Sequence, residues 1–340
     1  MDSLTQIVLG AGIGELTMGR KIGNRAQLIG AIGGTLPDLD VLFTLHLKNS
    51  VEYFEIHRSY SHALFPLILA AFPLAYLTHI IFKRKHSYWA FYTLWALALV
   101  THTMLDCCTT YGTQFFLPFS RYLVGLNTIS IIDPLYTIPF MVLLIICLFK
   151  RRESAVRRKI AIASFIVSAT YMVMVIGCKK AAYTAMSASL QNNHVAYTTL
   201  RTTPSIFNGM LWAGIAYNRD SLHVGEYSVW DKDKNVEFVS FPTNQHLKEK
   251  FTCPELSTLM WFSQGQYIFE HVNDTTARLY LVKWGRFDYD KKQPLDAFRF
   301  YFTLIKHGDN KVEVISHEPS EGEINFKEAF AKLWRRIFYY

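Results

Sequence analysis

Residues 35–133 decide the fold, because four polar motifs there interrupt or abut apolar segments that would otherwise be plain membrane helices: TLPDLD (35–40), HRSYSH (57–62), HTMLD (102–106) and IIDP (131–134). An ionised side chain at the centre of a membrane helix costs about 2.5 to 3.5 kcal/mol. The motifs hold four aspartates, Asp38, Asp40, Asp106 and Asp133, which would cost roughly 10 kcal/mol if unpaired. They also hold three histidines, His57, His62 and His102. Imidazole with carboxylate holds zinc or a similar divalent ion, so the stretch predicts a metal-filled polar cavity.

The composition divides the chain near residue 179. The 340 residues are 51% hydrophobic, but residues 1–178 are dominated by apolar runs whereas residues 179–340 are polar and charged. We therefore predict an α+β protein with a membrane-embedded helical domain over residues 1–178. The soluble domain over residues 179–340 is predicted to contain an antiparallel sheet of six strands and a terminal helix over residues 325–340.

Four apolar stretches have the length that crosses a hydrocarbon core of about 30 Å. They are residues 63–82, 88–106, 131–149 and 160–178. Two shorter helices are predicted before them, over residues 3–18 and 26–45, and Pro37 must kink or end the second. The glycines of GAGIGE (10–15) are interpreted as sites of close helix packing.

The basic residues set the predicted topology. They cluster in three short loops, at Arg20 to Arg25, Lys83 to Lys85 and Lys150 to Lys159, which we place on the cytoplasmic side. The net charge of +8 is therefore attributed to membrane topology and predicts no nucleic-acid partner. The protein is expected to be a multi-pass protein of the cytoplasmic (inner) membrane with residues 179–340 outside the cytoplasm.

This topology gathers the Asp and His side chains of the four motifs at the outer membrane face. His102 and Asp106 are four residues apart, so on a helix they project from one face, as two ligands of one ion should. His57 and His62 are five apart, which suits a loop that enters a helix. Because the topology was assigned from Lys and Arg alone, the convergence of seven candidate groups is independent support for a shared site.

Each motif also has a simpler interpretation. A buried His102 could merely hydrogen-bond with Asp106, and the histidines of HRSYSH could lie at the membrane interface beside a helix cap. Asp38 and Asp40 could be turn formers after Pro37. Asp133, which precedes a proline, could be only a helix cap.

Five segments together resemble the bacterial inner-membrane metal-dependent hydrolase family (YdjM-like): MDSLTQIVLGAGIGE (1–15), GTLPDLD (34–40), HRSYSHAL (57–64), HTMLDCCTTYGTQ (102–114) and IIDPLYTIP (131–139). That family resembles, more distantly, the helical zinc phospholipase C and P1 nuclease fold. The resemblance implies that six residues are metal ligands or their immediate partners, namely Asp38, Asp40, His57, His62, His102 and Asp106. Many relatives carry His where this chain has Gln6, and Glu15 is a candidate substitute.

The candidate ligands and the residues beside them suggest metal-assisted hydrolysis. One or more zinc-like ions would activate water and clamp a phosphoester. Asp40 or Asp133 could take the proton, and Arg58 could pair with a phosphate oxygen. The expected activity is therefore hydrolysis of a phosphoester in a membrane lipid or a lipid-linked substrate at the outer membrane face. The alternative is a non-enzymatic carrier of divalent cations or protons, for which buried Asp and His are equally natural.

Overall fold

The computed structural model describes residues 1–47, 51–286, 295, 297–308, 311–317 and 326–338. The chain forms two compact units, each with its own core. The first comprises Met1–Lys48, Glu55–Met174 and Ile206–Asn208, and the second Asn49–Phe54, Val175–Ser205 and Gly209–Tyr340. The main division of the chain is at 174/175, and two short segments belong to the unit on the other side of it.

The first unit is helical. Its helices are α1 (Ser3–Ile22), α2 (Asn24–Thr35), α3 (Val41–Thr44), α4 (Tyr53–Ile56), α5 (Leu64–Ile81), α6 (Tyr88–Cys107), α7 (Pro134–Leu148) and the first half of α8 (Ala155–Asn192). Two short 3₁₀ helices, Leu36–Asp40 and Tyr60–His62, carry most of TLPDLD and the end of HRSYSH. α4 begins in the second unit and ends in the first.

Pro37 divides the predicted helix over residues 26–45. Because proline has no N–H to donate, α2 ends at Thr35 and the chain tightens into the 3₁₀ helix Leu36–Asp40 before α3 begins. This turn places Asp38 and Asp40 on a compact segment instead of along a long helix. The prediction that Pro37 kinks or ends the second helix is confirmed.

Helices α1 and α2 pack with their backbones in contact through glycines. A Cβ atom on Gly10 would collide with the carbonyl oxygen of Gly30, and a Cβ on Gly34 would collide with that of Gln6. Gly14 likewise faces the carbonyl of Ala26. The interpretation of the GAGIGE glycines as close helix packing is confirmed, and this contact sets the distance between Gln6 and Gly34.

The count of four full spans is not confirmed. Among the described residues, two helices are long and apolar enough to cross a membrane, α5 and α8. α7 is apolar but has 15 residues, about 22 Å of helix, which is short of a hydrocarbon core of about 30 Å. α6 has 20 residues, but its last turns carry Thr101, His102, Thr103 and Asp106.

The second unit contains two antiparallel sheets of four strands in place of the single predicted sheet of six. One sheet has the order β1 (Thr199–Pro204), β2 (Leu211–Tyr217), β3 (Ser221–Ser228), β4 (Phe238–Pro242). The other has the order β5 (Tyr267–Asn273), β6 (Thr276–Leu281), β7 (Tyr301–Lys306), β8 (Val312–His317). Neighbouring strands in each sheet are consecutive in the chain, so both sheets are simple meanders.

The sequence predicts strands over residues 222–230, 236–241, 265–271, 277–283, 297–306 and 311–317, which do not include β1 and β2. β2, LWAGIAY, is buried along nearly its whole length and so lacks the alternation that marks a half-exposed strand. The second unit also contains helices α9 (Leu247–Lys250), α10 (Pro254–Ser263) and α11 (Phe326–Phe338), together with the second half of α8. α11 confirms the predicted terminal helix over 326–338; residues 325, 339 and 340 lie outside the described residues.

Candidate metal centre

Four of the predicted ligands form one compact group in the first unit, namely Asp38, His62, His102 and Asp106. One ligand atom from each residue lies within 4.8 Å of the others. The side chains of His62, His102 and Asp106 are fully buried, whereas that of Asp38 is 16% exposed. The group is therefore reached from solvent on the Asp38 side.

Five of the six distances between the ligand atoms are close to the edges of a tetrahedron. His62 Nε2 lies 3.3 Å from Asp38 Oδ1 and 3.2 Å from Asp106 Oδ2. His102 Nε2 lies 3.5 Å and 3.4 Å from the same two oxygens. The two Nε2 atoms are 3.1 Å apart. A tetrahedral zinc site with bonds of about 2.0 to 2.1 Å has ligand–ligand edges of about 3.3 to 3.4 Å, so the residues present fit such an ion.

The second nitrogen of His102 fixes its ring. Nδ1 lies 2.7 Å from the carbonyl oxygen of Gly34. Because a carbonyl can only accept, Nδ1 carries the proton and Nε2 presents a lone pair to the group. Such a hydrogen bond from the distal nitrogen is the usual support of a metal-binding histidine. The close packing of α1 on α2 thus determines where this carbonyl lies.

Ser61 and Asp40 together support His62, because the Ser61 hydroxyl oxygen lies 2.9 Å from His62 Nδ1 and the hydroxyl donates to Asp40. The Asp40 Oδ2 atom lies 3.4 Å from His62 Nδ1 and accepts hydrogen bonds from the Ser61 hydroxyl (2.6 Å) and the Arg58 N–H (2.9 Å). Its Oδ1 atom lies 2.8 Å from His57 Nδ1. Asp40 and His57 are therefore next to the four-residue group and outside it, and Asp40 positions His62.

The environment of His62 and Asp40, which lie outside the two candidate spans, shows how strongly this region attracts positive charge. Burial lowers the pKa of His62, but the three carboxylates around it, Asp106, Asp38 and Asp40, outweigh burial and raise the pKa to about 10. Burial raises the pKa of Asp40, but its hydrogen bonds with His57 and His62 hold it well below its usual range. With both imidazoles neutral, as in metal-bound histidines, the two carboxylates of the four-residue group carry two negative charges. A divalent cation would neutralise them.

Asp106 divides its two oxygens between the group and other partners. Oδ1 lies 3.2 Å from an Arg58 guanidinium nitrogen, accepts a hydrogen bond from the Gln6 amide (3.1 Å) and contacts the Met1 amino nitrogen. Oδ2 faces His62 and His102 and has no hydrogen-bond donor among the described residues. An orphaned carboxylate oxygen beside two imidazole lone pairs is what a bound cation would satisfy.

Arg58 is buried beside Asp106. Its guanidinium also donates to the Thr109 hydroxyl (3.2 Å) and lies 4.7 Å from the centre of the Tyr111 ring. Its Nε atom has no hydrogen-bond partner in the described part of the chain. The backbone of Arg58 has a φ of 60°, which is uncommon for a residue with a side chain and is typical of functional sites.

Asp133 is a helix cap. Its Oδ1 atom accepts from the backbone N–H groups of Leu135 and Tyr136 at the start of α7, and both its oxygens accept from the Tyr171 hydroxyl. These contacts correspond to the simpler interpretation of IIDP. The structure does not bring Asp133 into the four-residue group, so its catalytic role stays a prediction.

Glu15 does not substitute at the site. Its carboxylate makes two 2.6 Å hydrogen bonds with the Arg157 guanidinium and accepts a third from the Gln27 amide (2.9 Å). Gln6, by contrast, is at the site, where its amide nitrogen also donates to the His102 carbonyl (3.2 Å).

Sequence reasoning did not identify Gly34 and Ser61, which hold the two histidines. Ser61 could have been found, since it lies inside the HRSYSH motif. The role of Gly34 could not, because its contact with His102 is made by a backbone carbonyl, which any residue has.

The amino-acid sequence is similar to that of a known protein family. A sequence model of the family described as YdjM inner membrane protein matches residues 1–182, more than half of the chain. A relative from Bacillus subtilis, named as the uncharacterized protein YfhP, is 28% identical over 144 residues, which cover 39% of this chain and 42% of that protein. The match thus spans less than half of that relative. No solved structure matches, so the more distant resemblance to phospholipase C and P1 nuclease stays a prediction.

Proposed function

The chain belongs to the YdjM inner membrane protein family, and from its buried His and Asp group we propose that it is a membrane-bound metal-dependent hydrolase. The substrate we propose is a phosphoester of a lipid or lipid-linked molecule. The observation that carries the proposal is the tetrahedral spacing of Asp38, His62, His102 and Asp106, in which both imidazoles present Nε2. The donor set, two nitrogens and two oxygens, suits zinc.

A divalent ion held there would supply the Lewis acidity that activates water and polarises a phosphoryl oxygen. The chain would hold the ion through the four residues of the group. Asp38 is the exposed member, so substrate and water would reach the site beside it. We propose that the second oxygen of Asp38, Oδ2, takes the proton while Oδ1 faces the ion, because the oxygens of Asp40 and Asp133 are already engaged by several donors.

Arg58 would bind the anionic part of the substrate. One of its nitrogens pairs with Asp106, and its Nε atom is an unused donor buried near the group. A guanidinium can donate to a phosphate oxygen and offset its charge. The same side chain would keep Asp106 ionised when substrate is absent.

The place of the group in the chain supports a substrate that stays in the bilayer. His62 immediately precedes α5, which is long and apolar enough to cross a membrane. A lipid substrate could present its phosphate at the end of such a helix while its chains remain in hydrocarbon. Extraction of buried chains, which costs about 0.8 kcal/mol per CH₂, would then be unnecessary.

We also propose that the protein is multi-pass and that residues 179–340 are extracytoplasmic, as the basic loops predict. A reporter that is active only in the cytoplasm and is fused after Tyr340 should stay silent. A bright reporter would contradict both the topology and the outer-leaflet site.

The direct test is turnover by purified, zinc-loaded protein. Lipid phosphomonoesters and phosphodiesters in mixed micelles should be cleaved, at a rate that depends on their surface concentration. The Asp106→Asn variant should be inactive. A matched control is His79→Asn, since His79 lies in α5 and its Nδ1 contacts the His86 carbonyl outside the group. Zinc-loaded protein that cleaves none of the phosphoesters would contradict the hydrolase proposal.

One observation favours the alternative of a cation carrier. The four protein ligands already complete a tetrahedral set, and three of them are fully buried, which is typical of a closed binding site. Metal uptake by proteoliposomes distinguishes the two functions. Uptake that the Asp106→Asn variant abolishes, without turnover of any phosphoester, would establish the carrier.

A further inference from the structure

Helix α11 is fixed to the second unit along one side. Leu333 and Ile337 are buried, and the Ile337 carbonyl accepts a hydrogen bond from the Ser228 hydroxyl (2.7 Å). The buried Arg336 guanidinium donates to Asp231 (2.9 Å) and to the Glu226 carbonyl (2.8 Å). Because these contacts cross to the β3 region, α11 has a defined orientation on the unit.

The rest of the apolar face of α11 remains exposed. Phe330, Trp334 and Phe338 follow one another at four-residue intervals and are 52%, 50% and 38% exposed. Trp230, which is 58% exposed, extends this row: its ring centroid lies 6.2 Å from that of Phe338. The ring centroids of Trp334 and Phe338 are 4.7 Å apart. We call these four residues the aromatic row.

Basic residues accompany the aromatic row. The helix Phe326–Phe338 carries four basic residues and one acidic residue. Lys327 and Arg335 are exposed, and Glu328, the acidic residue, is paired with Lys332 at 3.4 Å. Exposed aromatic rings beside lysine and arginine are typical of helices that lie at the headgroup level of anionic membranes.

The chain itself keeps this unit near a bilayer. Residues Val175–Asn192 of the second unit are the continuation of α8, one of the two helices long and apolar enough to cross a membrane. A bilayer that α8 crosses would therefore be tethered to the second unit.

We propose that the aromatic row docks the second unit on the headgroup region of a bilayer that contains anionic phospholipid. The rings would enter the interface, while Lys327 and Arg335 would pair with lipid phosphates. This docking is independent of the hydrolase proposal, since none of its residues belongs to the metal centre.

Quenching by brominated phospholipid tests the docking on the full chain. The protein is reconstituted into vesicles of phosphatidylcholine, with or without phosphatidylglycerol, each containing a lipid brominated near its headgroup. The difference in emission between the wild type and Trp334→Phe reports Trp334. We expect that difference to be quenched in the phosphatidylglycerol vesicles, and the quenching to be lost on addition of salt.

A charge-reversal variant supplies the matched control. Lys327→Glu with Arg335→Glu changes exposed side chains, so the fold should persist, as circular dichroism can verify. We expect this variant to lose the quenching of Trp334. Quenching that is equal without phosphatidylglycerol, or unchanged in the variant, would overturn the proposal. Absence of quenching together with protection from aqueous acrylamide would also overturn it and indicate that another protein surface covers the row.

Discussion

The Nε2 atoms of His62 and His102 lie 3.1 Å apart in the interior of the first unit. His102 Nδ1 donates to the Gly34 carbonyl, and His62 Nδ1 lies beside Asp40 and Ser61. Both rings therefore direct Nε2 at one point, beside the carboxylates of Asp38 and Asp106. A cation at that point would accept a lone pair from each ring and satisfy the orphaned Oδ2 of Asp106.

The first prediction concerns the stability that the ion confers. A ligand at about 100 times its Kd adds about 2.7 kcal/mol to the free energy of unfolding of a protein that it binds only when folded. Removal of metal by a chelator should thus lower the melting temperature of the wild type clearly. The His102→Ala, Asp106→Asn double variant should melt lower and respond little to chelator, in thermal unfolding followed in detergent.

His57→Ala is the matched control for that experiment, because His57 lies beside the group and contacts Asp40. We expect it to retain the response to chelator. If the double variant responded as strongly as the wild type, the ion would be bound elsewhere in the chain.

A second prediction separates the two aspartates of TLPDLD. Asp38 offers an oxygen to the four-residue group, whereas Asp40 contacts His62, Ser61 and the Arg58 backbone. Loss of such a supporting carboxylate typically lowers metal affinity 10- to 100-fold, so Asp40→Asn should weaken zinc binding by about that factor. Asp38→Asn should weaken it more. Competition with a chromogenic chelator measures both, and equal losses would contradict the division of roles.

A third prediction concerns Glu15 and Arg157, which pair at 2.6 Å and are each 3% exposed. Removal of one partner leaves a buried charge, so Glu15→Ala should lower stability by about 3–5 kcal/mol. The Glu15→Leu, Arg157→Leu double variant should recover much of that loss, since apolar replacements leave no charge. Metal content should be unchanged in both variants. If Glu15→Ala lost its metal, Glu15 would contribute to metal binding, and its assignment outside the site would be contradicted.

The core of the site was predictable because each of its signals is local. His102 and Asp106 share a helix face at four-residue spacing, and a helix places both at one ion wherever it packs. The roles of Asp38 and Asp40 were not predictable. On a 3₁₀ helix, side chains two residues apart diverge, and only the packing of HRSYSH shows that Asp38 faces the Nε2 atoms while Asp40 faces Nδ1 of His62.

Other features depend on contacts between distant parts of the chain. The Glu15–Arg157 pair joins residues 142 positions apart, and the sequence indicates only that each charge needs some partner. The sequence does not distinguish whether Asp133 is a metal ligand or a helix cap. In the structure the Tyr171 hydroxyl lies within hydrogen-bond distance of both its oxygens. The strand β2 was missed because it is buried on both faces and so lacks a strand period.

X-ray absorption at the zinc edge, together with metal analysis, tests the central claim most directly. Purified wild-type protein loaded with zinc should hold one ion per chain, with nitrogen and oxygen ligands alone at about 2.0 to 2.1 Å and scattering from two imidazoles. His62→Ala should lose the ion or show a single imidazole. Sulfur at about 2.3 Å would contradict the account, as would an unchanged spectrum in His62→Ala, since the ion would then be bound by other residues.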